Sequence, residues 1–263
     1  SIMWAAHWSL SRQSIFQQRN RTKHSLPFRK SVHQISHPGE AERARESTQM
    51  IENLPLTPDA LASDYREKGF WRDITIAHQL FAIAKDYSNK PAIVCGDSSI
   101  SYEQLAESVR CLSANLIAIG IKPGDVVAGQ LPNSIEIPLL HIACNAIGAL
   151  YMPLHDSWRE LELAHLLVIA KVKLIVCPGV YKGFDHVAMM LNIQKELGQP
   201  LAVYSTGECS NGAKPFSELL KKRENYRQLA VSRTVDPDSP AALMLSGGTT
   251  SISKISRFSS NNI

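Results

Sequence analysis

Apolar residues along most of this chain follow two alternating spacings, one typical of buried strands and the other of amphipathic helices. Short apolar runs predict strands at 92–95, 126–131, 149–152, 172–176, 201–204 and 241–245. Apolar residues three and four positions apart predict helices at 74–87, 105–119, about 159–170 and 187–197. Strands that alternate with such helices are typical of βαβ units. The expected fold is therefore α/β: a layered, mostly parallel sheet with flanking helices.

Helix ends are marked by residues with capping chemistry. Ser101 and Gln104 form a capping box, in which each side chain accepts from the backbone N–H of the other, and Gly120 ends the helix that follows. Asn133 is predicted to cap a further helix that ends at Gly148. Later in the chain we expect a surface loop at 207–214, a short helix at 216–223 and a turn at 236–238. The strand at 241–245 is expected to be the last element.

Residues 1–53 differ in composition from the rest of the chain. The first 39 residues hold six Lys or Arg and no acid, which leaves −2 of the net charge of +4 for the remainder. The body is therefore not a nucleic-acid-binding surface. We interpret 1–53 as a disordered basic extension, or as sequence upstream of a start at Met50. The alternatives are a targeting presequence, which is Arg- and Ser-rich and acid-poor, and a nucleic-acid-binding arm, which only the charge favours.

Residues 54–263 form the predicted folded domain, whose ordered part begins near Pro58. No run approaches the ~18 apolar residues of a membrane-spanning helix. The five cysteines are odd in number and form no C-x-x-C pair, so neither a zinc ribbon nor a thioredoxin-like redox site is indicated. Most lie in apolar runs, which favours a reducing compartment. The expected location is cytoplasmic, or mitochondrial if the basic extension is a presequence.

The strand at 241–245 leads directly into a segment with the chemistry of a phosphate-binding loop. Two glycines allow close backbone approach, hydroxyl groups add donors and a lysine supplies positive charge. The candidate ATP phosphate-binding residues are Ser246, Gly247, Gly248, Thr249, Thr250 and Lys254. The loop also leaves the carboxyl end of a predicted parallel strand, where ligands bind in such sheets. It is neither a Walker A loop nor a dinucleotide fingerprint. Composition alone would also fit a flexible Gly/Ser/Thr-rich tail.

The segment from Leu243 to Lys254 resembles the phosphate loop of the acyl-adenylate-forming (AMP-binding, ANL) ligase superfamily, which includes acyl-CoA synthetases, luciferases and the adenylation domains of peptide synthetases. Other stretches fit that family in order, at 101–105, 124–127, 132–136, 146–153 and 158–163. Residues 65–71 are similar to the opening segment of the aryl-acid branch, typified by dihydroxybenzoate–AMP ligase. The Ser-Gly-Gly form of the loop points the same way, and cyclic-acid CoA ligases share both features. The resemblance covers roughly residues 58–263.

The resemblance implies a reaction in which a carboxylate attacks the α-phosphate of ATP, giving acyl-AMP and pyrophosphate. A thiol, either coenzyme A (CoA) or a carrier protein's phosphopantetheine arm, then takes the acyl group. In that picture the loop and Mg²⁺ stabilise charge on the leaving pyrophosphate. The aryl-acid branch implies an aromatic or cyclic carboxylic acid as substrate.

The chain departs from the family pattern at two loop positions and in its length. Ser251 replaces the usual glycine, at a cost of order 1–2 kcal/mol if that position requires φ > 0, and Ser253 replaces the usual proline. The family's full chain is about twice as long, and the adenine-binding, metal-ligating and hinge segments and the carboxyl-terminal domain with its catalytic lysine follow the part matched here. Lys254 is the phosphate-loop lysine and not that residue. No catalytic residue is therefore assigned.

Other candidates have simpler structural explanations. His141 lies in an apolar helix and is expected to be a satisfied core histidine, while His155 borders a loop. Asp156 beside it makes no triad without a placed nucleophile. Phe70 and Trp71 are expected to anchor the segment 65–71 on the body.

Three hypotheses follow. In the first, the chain is the amino-terminal part of an adenylating ligase, inactive alone or working with a separate second half. In the second, it is a non-catalytic product: a truncated pseudoenzyme, or a binding partner of an intact homologue, with an exposed apolar sheet edge. In the third, it is an unrelated nucleotide-binding α/β domain.

Overall fold

A computed structural model describes residues 57–197, 200–209, 212–246 and 254–263, with the side chains of Ser246 and Lys254 excluded. The predicted basic extension at 1–53 lies outside these ranges. None of the helices within them has the length and apolar character needed to cross a membrane.

The described ranges contain eleven strands and seven α-helices. The strands are β1 (Pro91–Cys95), β2 (Ser98–Ser101), β3 (Val126–Gln130), β4 (Leu150–Leu154), β5 (Val172–Cys177), β6 (Val180–Tyr181), β7 (Phe184–Asp185), β8 (Ala202–Ser205), β9 (Lys214–Pro215), β10 (Pro240–Ser246) and β11 (Lys254–Ser259). The α-helices are α1 (Asp59–Glu67), α2 (Ile76–Asp86), α3 (Tyr102–Ala118), α4 (Glu136–Ile147), α5 (Glu160–Ile169), α6 (His186–Leu197) and α7 (Tyr226–Ala230). Two 3₁₀ helices cover Phe216–Leu220 and Ser260–Asn262.

Seven strands form the main sheet, in the order β11-β10-β4-β3-β5-β8-β9. Every neighbouring pair is parallel except β10 and β11, which are antiparallel. The prediction of a mostly parallel α/β sheet with flanking helices is therefore confirmed. The prediction that the strand at 241–245 is the last element is wrong. β11 was missed because Lys254–Ser259 mixes polar and apolar residues, as an edge strand with one neighbour can.

The predicted capping box of α3 is confirmed, whereas the predicted cap of α4 is wrong. Ser101 Oγ accepts from the N–H of Gln104 at 3.2 Å, and the Gln104 side chain accepts from the N–H of Ser101 at 2.9 Å. Helix α4 begins at Glu136 after Ile135, with no side-chain cap, so Asn133 is not its cap. The carbonyl of Asn133 instead accepts from the thiol of Cys95. The chain turns at 133–135 before the helix begins, which the apolar spacing did not show.

Two apolar clusters occupy the two faces of the main sheet. Helices α2, α3 and α4 pack on one face through residues such as Leu112 and Leu140, and α5 and α6 pack on the other through residues such as Leu167 and Met190. Successive residues of β3 divide between the clusters, with Val127 in the first and Ala128 in the second. A strand buried on both faces explains the continuous apolar runs in the sequence.

Candidate functional site

The carboxyl ends of the parallel strands form the edge of the sheet where the predicted phosphate loop begins. β10 runs parallel to β4, with Ala242 opposite Tyr151, and β4, β3, β5 and β8 are parallel in turn. Their carboxyl ends therefore share one edge. The last residues of these strands are Gln130, Leu154, Cys177, Ser205 and Ser246. Ligands of parallel α/β sheets bind at this edge.

Ser246 and Lys254 are the two ends of the predicted phosphate loop. They lie opposite each other in the β10–β11 pair, so residues 247–253 connect two paired strands at the carboxyl edge. The strand before the loop is buried, with Ala242 at 0% and Leu243 at 1% exposure. Gly247, Gly248, Thr249 and Thr250 lie outside the described residues, as do the substituted positions 251 and 253. Their contacts with phosphate stay a prediction.

The donor chemistry of this loop fits a polyphosphate better than a bare metal ion. Backbone amides, hydroxyls and one lysine are donors to anionic oxygens, whereas Mg²⁺ takes oxygen ligands such as carboxylates and phosphates. Within the described ranges, no group of three or more His, Cys, Asp or Glu side chains could hold a metal ion. Binding of Mg²⁺ at this edge stays a prediction.

Gln130 organises the neighbouring part of the carboxyl edge. It is fully buried at the end of β3, and its amide nitrogen donates to the carbonyls of His155 at 3.0 Å and Trp158 at 2.9 Å. Its amide oxygen therefore accepts from Nδ1 of His186 at 3.2 Å. Burial lowers the pKa of His186, and the charge of Arg159 lowers it further, which favours the neutral ring. The sequence signal that was missed is a glutamine inside the apolar run at 126–131.

His155, Asp156 and Ser157, in the loop after β4, are not arranged as a catalytic triad. Nδ1 of His155 makes the contacts with both Ser157 Oγ, at 2.8 Å, and Asp156 Oδ1, at 3.2 Å. A triad requires the nucleophile on one ring nitrogen and the carboxylate on the other. Asp156 also forms an ion pair with Lys182 at 3.3 Å.

His141 is in the predicted helix, but the expectation that it is satisfied is wrong. Its Nε2 atom is buried and has no hydrogen-bond partner in the part of the chain that the structure describes. The hydroxyl of Tyr151 is likewise buried without a hydrogen-bond partner in the described residues. The rings of His141 and Tyr151 stack with their centroids 5.4 Å apart. Burial alone lowers the pKa of His141, which keeps the imidazole neutral.

The aromatic pair at 70–71 divides between the core and the surface. Trp71 is 9% exposed, and the ring of Tyr65 packs on it edge to face at 5.5 Å. Phe70 is 70% exposed. Of the two residues expected to anchor the segment 65–71, only Trp71 therefore does so.

A cavity of about 580 Å³ lies at the opposite, amino-terminal edge of the sheet. Its lining includes Lys171, Arg233 and Asp236. Arg233 donates to the carbonyls of Ile147 at 3.1 Å and Ile121 at 3.2 Å. Cations are favourable here because flanking helices end at this edge, and their last carbonyls carry partial negative charge. These cations are explained by the helix ends, and the cavity is remote from the predicted loop.

Comparison with known proteins identifies the family of this chain. The family model described as "AMP-binding enzyme" matches residues 80–262. The chain is 30% identical over 200 residues to the medium-chain fatty-acid–CoA ligase of Escherichia coli (strain K12), covering 76% of this chain and 35% of that protein. It is 29% identical over 206 residues to the 2,3-dihydroxybenzoate–AMP ligase of Bacillus subtilis (strain 168), covering 78% and 37%.

Solved structures support the fold assignment. The apo structure of MbtA from Mycobacterium smegmatis superposes with a TM-score of 0.69 at 22% identity, covering 81% of this chain and 39% of that one. The chain thus spans just over a third of the length of the two curated relatives. It belongs to the AMP-binding enzyme family, of which it represents an amino-terminal part.

Proposed function

We propose that this chain is the phosphate-binding, amino-terminal part of an ATP-dependent, AMP-forming carboxylic acid ligase. The observation that carries the proposal is the β10–β11 pair, which opens at Ser246 and Lys254 on the carboxyl edge of the sheet. The loop between these residues has the amides, hydroxyls and lysine that a polyphosphate requires. Ser246, Gly247, Gly248, Thr249, Thr250 and Lys254 are the proposed phosphate-binding residues.

In the proposed reaction, the substrate carboxylate attacks the α-phosphate of ATP, and pyrophosphate leaves. The loop of this chain holds the β- and γ-phosphates and stabilises the charge that develops on the leaving group. Mg²⁺, when bound, neutralises part of that charge. The acyl group then passes from acyl-AMP to a thiol, which is CoA or a phosphopantetheine arm.

We propose an aromatic or cyclic acid as the substrate of the complete enzyme. The likeness to 2,3-dihydroxybenzoate–AMP ligase supports this choice. A salicylyl-CoA synthase / salicylate adenylyltransferase of Streptomyces sp, 31% identical over 205 residues, supports it as well. The likeness to a medium-chain fatty-acid–CoA ligase means that straight-chain acids belong in the same test panel.

Because the chain spans just over a third of the two curated ligases, we propose that it does not turn over by itself. The alternative role is that of a non-catalytic pseudoenzyme that binds an intact homologue, supported by β11, which pairs only with β10 in the described ranges. All five cysteines are free, which agrees with a cytoplasmic location.

Binding of MgATP is the direct test. Replacing Lys254 by Ala removes one charge-assisted contact to phosphate and should weaken binding at least tenfold, given about 1.5–3 kcal/mol per such contact. Lys195→Ala, at an exposed position on α6, is the matched control and should bind as the parent does. Equal binding by the Lys254→Ala variant and the parent would contradict the proposed site. ATP–pyrophosphate exchange over a panel of aromatic and aliphatic acids tests turnover, and we expect none from this chain alone.

A further inference from the structure

A cluster of charged and amide side chains joins the amino-terminal and carboxyl-terminal parts of the described chain. Arg66 on α1 donates through Nε to Asp73 at 3.0 Å and through its terminal nitrogen to Asp238. The side-chain amide of Asn261 donates to the same two carboxylates, to Asp73 at 2.9 Å and to Asp238 at 2.8 Å. We call Arg66, Asp73, Asp238 and Asn261 the terminal clasp. Each carboxylate in it is therefore shared by one cation and one amide.

The terminal clasp lies beside the end of the β10–β11 pair that is opposite the predicted phosphate loop. Asp238 precedes the first residue of β10 by two positions, and Asn261 follows the last residue of β11 by two. The backbone N–H of Asn261 also donates to the carbonyl of Pro237 at 3.3 Å. The side chain and backbone of Asn261 therefore join β10 and β11 at the end of the pair that is far from the predicted phosphate loop.

The register of the β10–β11 pair changes next to the terminal clasp. From the clasp to the loop the paired residues are Pro240–Ser259, Ala242–Phe258, Leu243–Arg257, Met244–Ser256, Leu245–Ile255 and Ser246–Lys254. β10 thus has one extra residue, Ala241, between the first two pairs, which is a β-bulge. If the bulge were lost while Pro240 and Ser259 stayed paired, Lys254 would face Leu245.

A shift of one residue would reverse the face of every side chain on β11, because side chains alternate along a strand. In the described ranges β11 pairs with β10 alone, so no second strand fixes its register. Ile255 packs against the buried cluster that includes Leu243, and this contact opposes the shift. Ser256 is exposed and opposes it little. The polar contacts of the terminal clasp therefore supplement modest apolar packing.

We propose that Asn261 is a positioning residue: by joining the distant ends of β10 and β11, it keeps the bulge at Ala241 and sets the point where Lys254 leaves the phosphate loop. This inference rests on the proposed function, in which Lys254 contacts the phosphates of ATP. Arg66 supports Asn261 indirectly, because it binds and positions the Asp73 and Asp238 carboxylates that accept from the Asn261 amide.

The test combines MgATP affinity with a direct probe of register. Asn261→Ala should weaken MgATP binding about fivefold, and the loss should largely disappear when Lys254 is already Ala, since both changes act on one contact. Asn261→Asp has the same shape but places a third carboxylate in the cluster, so its effect should be at least as large. Asp64→Asn, which removes an exposed ion pair between α1 and Lys68, the residue that follows the helix, is the matched control and should leave affinity unchanged.

Disulfide trapping reports register without ATP. In the parent chain, Met244→Cys with Ser256→Cys should form a cross-link, because those positions are paired. Leu243→Cys with Ser256→Cys should form one only after a one-residue shift. Adding Asn261→Ala should lower the first yield and raise the second. The chain without added cysteines gives the background from its native thiols.

The possible outcomes separate the two proposals. If Asn261→Ala lowers thermal stability but leaves both affinity and cross-linking unchanged, Asn261 is merely structural and the inference is overturned. If the parent binds no MgATP, or Lys254→Ala binds as well as the parent, the proposed function fails, while cross-linking still decides the register. If Asn261→Ala does not fold, Asp238→Asn is used in its place. This variant keeps an acceptor for the Asn261 amide at position 238 but weakens the interaction of Arg66 with that position. A partial shift in cross-linking then supports the inference, and none overturns it.

Discussion

Replacing Tyr151 by Phe should stabilise the protein, although loss of a buried tyrosine hydroxyl usually has the opposite effect. Tyr151 is 2% exposed in the first apolar cluster, and its hydroxyl has no hydrogen-bond partner in the ranges that the structure describes. Burial also raises the pKa of Tyr151, as expected for a phenol in an apolar environment. In the unfolded chain the same hydroxyl bonds to water. Folding therefore loses those bonds without replacing them.

The magnitude follows from the cost of an unsatisfied buried polar group, which is about 1–3 kcal/mol. Phenylalanine keeps the ring and its contacts, including the stack on His141, and removes only the oxygen. We therefore expect Tyr151→Phe to raise the free energy of unfolding by at least about 1 kcal/mol. Tyr226→Phe is the matched control, because that hydroxyl donates to Glu107, and its removal should lower stability.

Urea unfolding followed by circular dichroism measures both variants against the parent. An unchanged m-value would show that the variants differ in stability and not in the compactness of the unfolded state. A loss of stability in Tyr151→Phe would refute the reasoning, since it would mean that the hydroxyl has a partner in solution. If both tyrosine variants lost stability equally, the contrast between a satisfied and an unsatisfied hydroxyl would also be refuted.

Gly129 gives an independent check on the position of the same hydroxyl. A Cβ atom added at Gly129 would lie 2.6 Å from the Tyr151 oxygen and at least 3.1 Å from the nearest ring carbons. Gly129→Ala should therefore cost about 1–3 kcal/mol by overpacking. In the Tyr151→Phe background the closest atom is gone, so the cost should be clearly smaller. Equal costs in the two backgrounds would show that the hydroxyl does not lie over Gly129.

Three further predictions test other parts of the molecule. Burial lowers the pKa of His141 and of His186, so the unfolded state binds more protons than the folded state below about pH 6.5. In urea titrations the free energy of unfolding should therefore be constant above that pH and should fall below it. The fall should be less steep when His141 is replaced by Asn. Asn115→Ala should lower the free energy of unfolding by about 2 kcal/mol, because the side-chain amide of Asn115 donates to the carbonyls of Cys111 and Leu219 at 2.9 Å. Asn115→Asp has a side chain that cannot donate, so in the same titration it should lower the free energy of unfolding by at least as much. Ser251→Gly should strengthen MgATP binding in calorimetry if the loop requires φ > 0 there, and unchanged affinity would show that serine is tolerated.

Features that depend on a few consecutive residues were determined by the sequence. The capping box at Ser101 and Gln104 lies within one helical turn, so its two hydrogen bonds were predictable before any packing was known. Gly148 ends α4 in the left-handed conformation, as its place after an apolar helix indicated. The continuous apolar run at 172–176 likewise predicted a strand buried on both faces. From these units the parallel sheet followed, since its strands alternate with helices.

Features that depend on contacts between distant residues were decided only by the tertiary structure. β11 becomes a strand because β10 supplies its hydrogen bonds, and Asn133 does not cap α4 because the chain turns before the helix begins. The partners of Gln130 lie 25 to 56 residues away, and Arg66 reaches Asp238 across 172 residues. A motif predicts which residues bind phosphate, but the strand pairing decides the edge of the sheet at which the predicted loop begins. Local backbone chemistry is encoded in neighbouring residues, whereas register and polar satisfaction arise only when the whole chain packs.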